Sequence, residues 1–158
     1  MRYPGYDYAQ PGGVHLTICT ENRQHLFGMP RDGQVLHSAA GLAALELWDV
    51  LPARFPTVMA DLYVVMPDHL HVMLFTGIDP ERPETRETVG AVVRWFKTAM
   101  HRRYRDGVNR RGWPPYEGKL WQRDYYDHII RNDRDLATIQ AYIEANPLRW
   151  WERYGDDP

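Results

Sequence analysis

Two histidines one residue apart, His69-Leu70-His71, open an apolar run that extends to Phe75. On a β-strand alternate side chains share a face. Both imidazoles then point the same way, about 6–7 Å apart at their backbones, while Leu70 points to the other side. Imidazoles so placed can converge on one metal ion. Two nitrogens do not complete the shell of Mg²⁺ or Mn²⁺, which takes about six ligands. The open positions are those a catalytic metal uses to polarise a phosphate. An ordinary pair of core or surface histidines has the same spacing.

A second constellation, Tyr142 and Asn146, puts a phenol and an amide four residues apart, on one helix face. If that face meets the histidine strand, Asn146 offers its carbonyl oxygen as a third metal ligand and Tyr142 sits beside the phosphate. A phenol titrates near pH 10, about three units above neutrality, and is a poor nucleophile until activated; a nearby cation favours the phenolate. The competing reading is a core tyrosine and a helix-terminal asparagine before Pro147. Arg131, after Ile129-Ile130, suits a phosphate or a surface carboxylate equally. The spacing assigns no role to Asp127 and His128.

These groups need a frame. Residues 14–20 alternate and are β-branched, which predicts a strand; 22–33, with Gly, Pro and Asp, reads as a loop. Ser38 is the expected N-cap of a helix from Ala39 to about Leu51, ended by Pro52 and Pro56. Strands are expected over 58–66 and 69–75, joined by a short turn into a hairpin. Residues 78–88 read as an exposed loop, Thr88 as the cap of a helix over 89–105, and 106–120 as a mobile loop. A fourth strand is expected over 121–131. Asn132 or Asp133 then caps a helix to about Asn146, with Pro147 marking a break before a short final helix over 147–154. The order β-α-β-β-α-β-α predicts a ferredoxin-like α+β layout, an antiparallel sheet with helices packed on one face.

The chain has 158 residues, the length of one domain. Its single cysteine, Cys19, cannot close an internal disulfide, and no apolar run approaches the roughly 18 residues of a membrane span. Both point to a cytoplasmic protein without a membrane partner. The net charge of −2 hides a strong asymmetry: residues 1–93 carry net −5, 94–134 net +6 and 135–158 net −3. The basic block is the footprint a phosphate backbone requires, although a solvated helix face produces it too. Aromatics interleave with it at Arg94-Trp95-Phe96-Lys97, as stacking on unpaired bases demands. The nucleic-acid-binding candidates are Arg94, Lys97, Arg102, Arg103, Lys119, Arg123 and Arg131.

Four stretches, in order, resemble the REP-associated tyrosine transposases, a branch of the single-strand transposases carrying the HUH (histidine, hydrophobic residue, histidine) motif. They are HLTICTENRQHLFG from His15, VVMPDHLHVML at 64–74, VGAVVRWFKTAMHRR at 89–103 and LWQRDYYDHIIRNDRDLATIQAYIEANPLRW at 120–150. The resemblance implies that His69 and His71 bind the metal, that Tyr142 is the nucleophile and that Asn146 approaches the metal. It implies transesterification through a 5′-phosphotyrosine, on single-stranded DNA beside a small hairpin, by a monomer or a homodimer. The chain departs from the family pattern at Asp68, where Asn is usual, and at Arg94–Thr98, where relatives often have Ser-Phe-Lys-Ser. The first changes the charge beside the motif and the second bears on DNA preference.

Two alternatives stay open on the sequence. One is a non-catalytic single-stranded nucleic-acid-binding module on the same fold. The other is a two-histidine phosphoesterase, whose two His-x-Thr elements are half matched: His15-Leu16-Thr17 fits, but His69-Leu70-His71 lacks the hydroxyl. The role of His15 is otherwise unassigned.

Overall fold

The computed structural model describes residues 12–77 and 88–155. Four strands form one antiparallel sheet: β1 (Gly12–Cys19), β4 (Val58–Val65), β5 (His69–Thr76) and β6 (Tyr126–Ile130), in the spatial order β4-β5-β1-β6. This is the ferredoxin-like order expected from the element pattern. A separate two-stranded hairpin, β2 (Gly28–Arg31) with β3 (Gln34–His37), lies between β1 and the first helix.

Strand alternation divides the sheet's residues between two faces. Val14, Leu16, Ile18, Leu70, Val72 and Leu74 face the main core, which α1 (Ala39–Asp49) and α3 (Val89–Arg110) cover with Trp48, Phe96, Met100 and Tyr104. Trp48 stacks on Phe96 at 4.4 Å between ring centroids. A short α2 (Leu51–Arg54) follows α1 after a break at Val50, with Pro52 in its first turn, where the missing N–H costs least. The opposite face carries His15, Thr17, His69, His71 and Met73. There α4 (Asp133–Tyr154) packs Ile139 and Ile143 on Met73 in a second, smaller core. The helices thus cover both faces, with α4 alone on the histidine side.

Both helix caps anticipated at the start of α1 and α3 form: the Ser38 hydroxyl accepts from the Gly41 N–H and that of Thr88 from the Ala91 N–H, each at 3.1 Å. Asn132 caps α4 by accepting from the Asp135 N–H at 2.8 Å. Four boundaries differ from expectation. The 22–33 loop contains β2, because Asp32 and Gly33 both take positive φ and close a two-residue hairpin turn, the conformation an Asp-Gly pair favours. Helix α3 runs to Arg110 through Gly107, where any Cβ would lie 2.1 Å from the Trp113 ring; the glycine seats that tryptophan instead of ending the helix. Strand β6 starts only at Tyr126. Before it, Trp121 is buried and donates to the Lys97 carbonyl, and Lys97 in turn donates to the carbonyls of Gln122 and Arg123. Helix α4 continues through Pro147 to Tyr154. Proline removes one helical hydrogen bond, and contacts on both sides of it keep the helix whole. The loop expected over 78–88 lies, apart from Thr88, outside the described residues.

Candidate active site

Strand β5 sets the two motif histidines on the α4 face, and both are buried. Their rings stand nearly perpendicular, 4.9 Å apart at the centroids. In the register of β1 with β5, Cys19 lies opposite His69, Thr17 opposite His71 and His15 opposite Met73.

Each imidazole is held by its Nδ1. His69 Nδ1 donates to Asp68 Oδ1 at 2.6 Å, and Arg23 clamps the same carboxylate, Nε to Oδ2 at 2.7 Å and Nη2 to Oδ1 at 3.3 Å. Burial alone would raise the Asp68 carboxyl, but the bonds from His69 and Arg23 outweigh it and hold the group below the ordinary carboxylate range. His71 Nδ1 lies 3.0 Å from His15 Nε2 and 3.1 Å from Thr17 Oγ1. Burial, reinforced by His69, His15 and Arg23, pushes His71 down to about 3; burial, with His128 beside it, lowers His15 to about 4. Both rings are therefore neutral at pH 7, the state in which an imidazole nitrogen can bind a cation.

Helix α4 brings the second constellation to the first. The Tyr142 ring lies 5.6 Å from His71 and 6.2 Å from His15, at 41% exposure, so a substrate can reach it. Asn146, one turn on, lines the same cleft of about 480 Å³ as His69, His71 and Tyr142. His71 Nε2 and Asn146 Oδ1 are both buried with no hydrogen-bond partner among the described residues. A buried orphan polar atom costs about 1–3 kcal/mol. A nitrogen lone pair and an amide oxygen left free in one cleft are the donor set a divalent cation would satisfy, so His69, His71 and Asn146 fit such an ion. Among the described residues no three His, Cys, Asp or Glu side chains gather in a way that could hold a metal ion.

The start of α4 is fixed to the sheet. His128 Nε2 meets Asp135 Oδ2 at 3.1 Å, and the Arg131 backbone N–H donates to the same oxygen at 3.1 Å. The backbone bond, then His128, holds the Asp135 carboxyl below its usual range. His128 thus ties β6 to the tyrosine helix. Asp127 points to the other face, alongside Leu16, and is buried.

The rest of the cleft was not anticipated. Arg23, Arg149, Trp150 and Arg153 line it. The Arg149 guanidinium lies 4.8 Å from the centre of the Tyr142 ring, and Trp150 stacks on His69 at 5.7 Å. Arg149 falls seven residues after Tyr142 and Trp150 four after Asn146, spacings that share a helix face. The signal was present but was masked by the break expected at Pro147.

The basic residues proposed from the sequence are not gathered at this cleft. Lys97 is half-buried and bonded to backbone carbonyls, and burial lowers its ammonium. Arg103 pairs with Glu46 at 2.9 Å. With Arg102 it lines a larger cleft, about 730 Å³, on the α1–α3 side of the sheet. That cleft is bigger but holds none of the histidines or Tyr142. Arg94, Arg102, Lys119, Arg123 and Arg131 are exposed.

A sequence model of the family described as transposase, IS200-like, matches residues 12–146. The chain belongs to this family of IS200-like transposases. It is 30% identical over 168 aligned residues to an uncharacterised protein of Haemophilus influenzae, covering 95% of this chain and 88% of that one. A second protein of that organism, provisionally named a REP-associated tyrosine transposase, is 28% identical over 88 residues, 54% of this chain and 47% of its own length. The fold matches the structure of a REP-associated tyrosine transposase bound to a REP hairpin, with a TM-score of 0.66 at 19% identity over 94% of this chain and 74% of the other. It also matches a protein of Deinococcus radiodurans provisionally described as a transposase, with a TM-score of 0.52 at 22% identity over 91% of this chain and 95% of that one. No helix among the described residues is long and apolar enough to cross a membrane.

Proposed function

We propose that this chain is a metal-dependent single-strand DNA endonuclease and strand-transfer enzyme that works in the cytoplasm by tyrosine transesterification, at hairpin-forming repeats. One observation carries the reading: Tyr142 stands beside His71 in a cleft that His71 and Asn146 line, each with a buried atom that has no hydrogen-bond partner among the described residues. Tyr142, His71 and Asn146, with His69, lie together within one chain, which supports a site built by a single subunit.

His69, His71 and Asn146 would hold Mg²⁺ or Mn²⁺, which supplies charge neutralisation at a non-bridging phosphate oxygen. The Tyr142 oxygen attacks phosphorus, one O–P bond forms, and the bond to the neighbouring 3′ oxygen breaks. The phenol proton departs to solvent, and the leaving oxygen takes up a proton as a 3′-hydroxyl. The product is a 5′-phosphotyrosine. The link keeps the phosphodiester's energy, so an incoming 3′-hydroxyl can reverse the step and join strands without ATP. Arg149 supplies a cation beside the phenol and beside the phosphate it attacks. Trp150, Tyr126 and the remaining cleft arginines suit the bases and backbone of an unpaired strand. The hairpin-bound fold relative supports a hairpin-flanked substrate.

The test is incubation with hairpin-flanked single-stranded DNA and Mn²⁺, then a denaturing gel. Wild type gives a covalent protein–DNA adduct. Tyr142→Phe binds the DNA with little change, because only a hydroxyl is lost, and gives no adduct. Equal adduct from both proteins rejects the nucleophile.

A further inference from the structure

His15 and Thr17 have no part in the chemistry just described, yet both end on one atom. His15 Nε2 and Thr17 Oγ1 lie 3.0 and 3.1 Å from His71 Nδ1. They are alternate residues of β1, so they share the face on which His71 stands, Thr17 directly opposite and His15 diagonally across the strand pair. We propose that His15 and Thr17 form a two-acceptor clamp that keeps the proton of His71 on Nδ1 and so leaves Nε2 bare toward the cleft.

A neutral imidazole has one N–H and one lone pair. Were the proton on Nε2, a buried donor would face no acceptor among the described residues, even though the Thr17 hydroxyl or a His15 protonated on Nε2 could then donate to Nδ1. With the proton on Nδ1, that N–H has a choice of two acceptors and the lone pair occupies Nε2. The outer partner of an imidazole thereby decides which nitrogen can act as a ligand. His69 reaches the same state by a different route, through the Asp68 carboxylate, which only accepts. The two motif histidines are oriented by unlike devices, one ionic and one neutral. The His-x-Thr element of β1 thus serves the other histidine strand rather than a phosphoester. His15 and Thr17 are positioning residues, and their effect on the cation rests on the reading of His71 as a ligand.

The test uses the full chain in two arms. The first records the tautomer of His71 by ¹⁵N imidazole NMR in metal-free protein. Wild type shows Nδ1–H alone, and the double variant His15→Leu/Thr17→Val shows a mixture or Nε2–H. The second titrates Mn²⁺. The double variant binds about 10–100-fold more weakly, the loss typical of removing outer partners of a ligand. His15→Gln, whose amide oxygen can accept, stays within a few-fold of wild type. Should the double variant fail to fold, Thr17→Val and His15→Leu are measured singly by the same two readouts. A wild-type Nε2–H tautomer, or variants that keep both Nδ1–H and full Mn²⁺ affinity, overturns the clamp. Wild type with Nδ1–H and no Mn²⁺ binding leaves the clamp standing and removes the metal reading instead.

Discussion

Leu70 and His71 are adjacent on one strand, both buried, and they do opposite work. Leu70 faces α1 and α3, in the main apolar cluster with Leu16, Val72 and Phe96. His71 faces α4, where the apolar contacts are few, centred on Met73, Ile139 and Ile143, and the remaining buried atoms are polar. Under the proposed function, the two faces of the sheet divide stability from chemistry at the resolution of a single residue. The α1–α3 face is held mainly by close packing of apolar side chains. On the α4 face the buried atoms without a partner among the described residues belong to His71, Asn146 and Trp150, which line one cleft, and leaving them so costs stability.

The comparison predicts that neighbouring substitutions separate activity from stability. The largest effect is expected from His69→Ala, which should cut Mn²⁺- or Mg²⁺-dependent nicking by more than about 100-fold. Nicking is compared per folded molecule, because the buried ring also bonds Asp68 and its loss costs some stability. Undiminished nicking with either ion would erase the functional face. Next, Leu70→Ala should cost about 2–5 kcal/mol in urea unfolding, with nicking per folded molecule preserved. A loss near zero would mean that the α1–α3 face is not the stabilising one.

The smallest effect concerns pH. In the metal-free protein His15 and His71 are held near 4 and 3, while unfolded histidine titrates near 6.5. Between those values the unfolded chain binds more protons. Their neutral state therefore contributes stability that is fully present above pH 6.5 and is lost progressively on acidification. Thermal melts should fall from pH 7 to pH 5, and His15→Gln should flatten that slope. A wild-type melt that rises over the same range contradicts the burial of the pair.

Much of this division was legible in the residues. The period-two pattern of 69–75 placed the histidines on one face and Leu70 on the other, and the spacing of Tyr142 and Asn146 put phenol and amide on one helix side. That the two faces meet was implied by the resemblance and not by spacing, and so was the proposed role of Tyr142. The Asp32-Gly33 hairpin was written in its turn chemistry but was submerged in a polar stretch read as loop. Arg149 and Trp150 were hidden by Pro147, a signal that weighs one lost hydrogen bond and cannot weigh packing. The Asp68–Arg23 clamp joins residues 45 positions apart, and local pattern carries no information about such a pair.

The most direct measurement is to digest the trapped protein–DNA adduct and locate the modified residue by mass spectrometry. The account predicts a single phosphotyrosine at Tyr142, linked to the 5′ end of the cleaved strand. Attachment at any other residue, such as the more exposed Tyr126 of the same cleft, or cleavage with no covalent adduct, would contradict it.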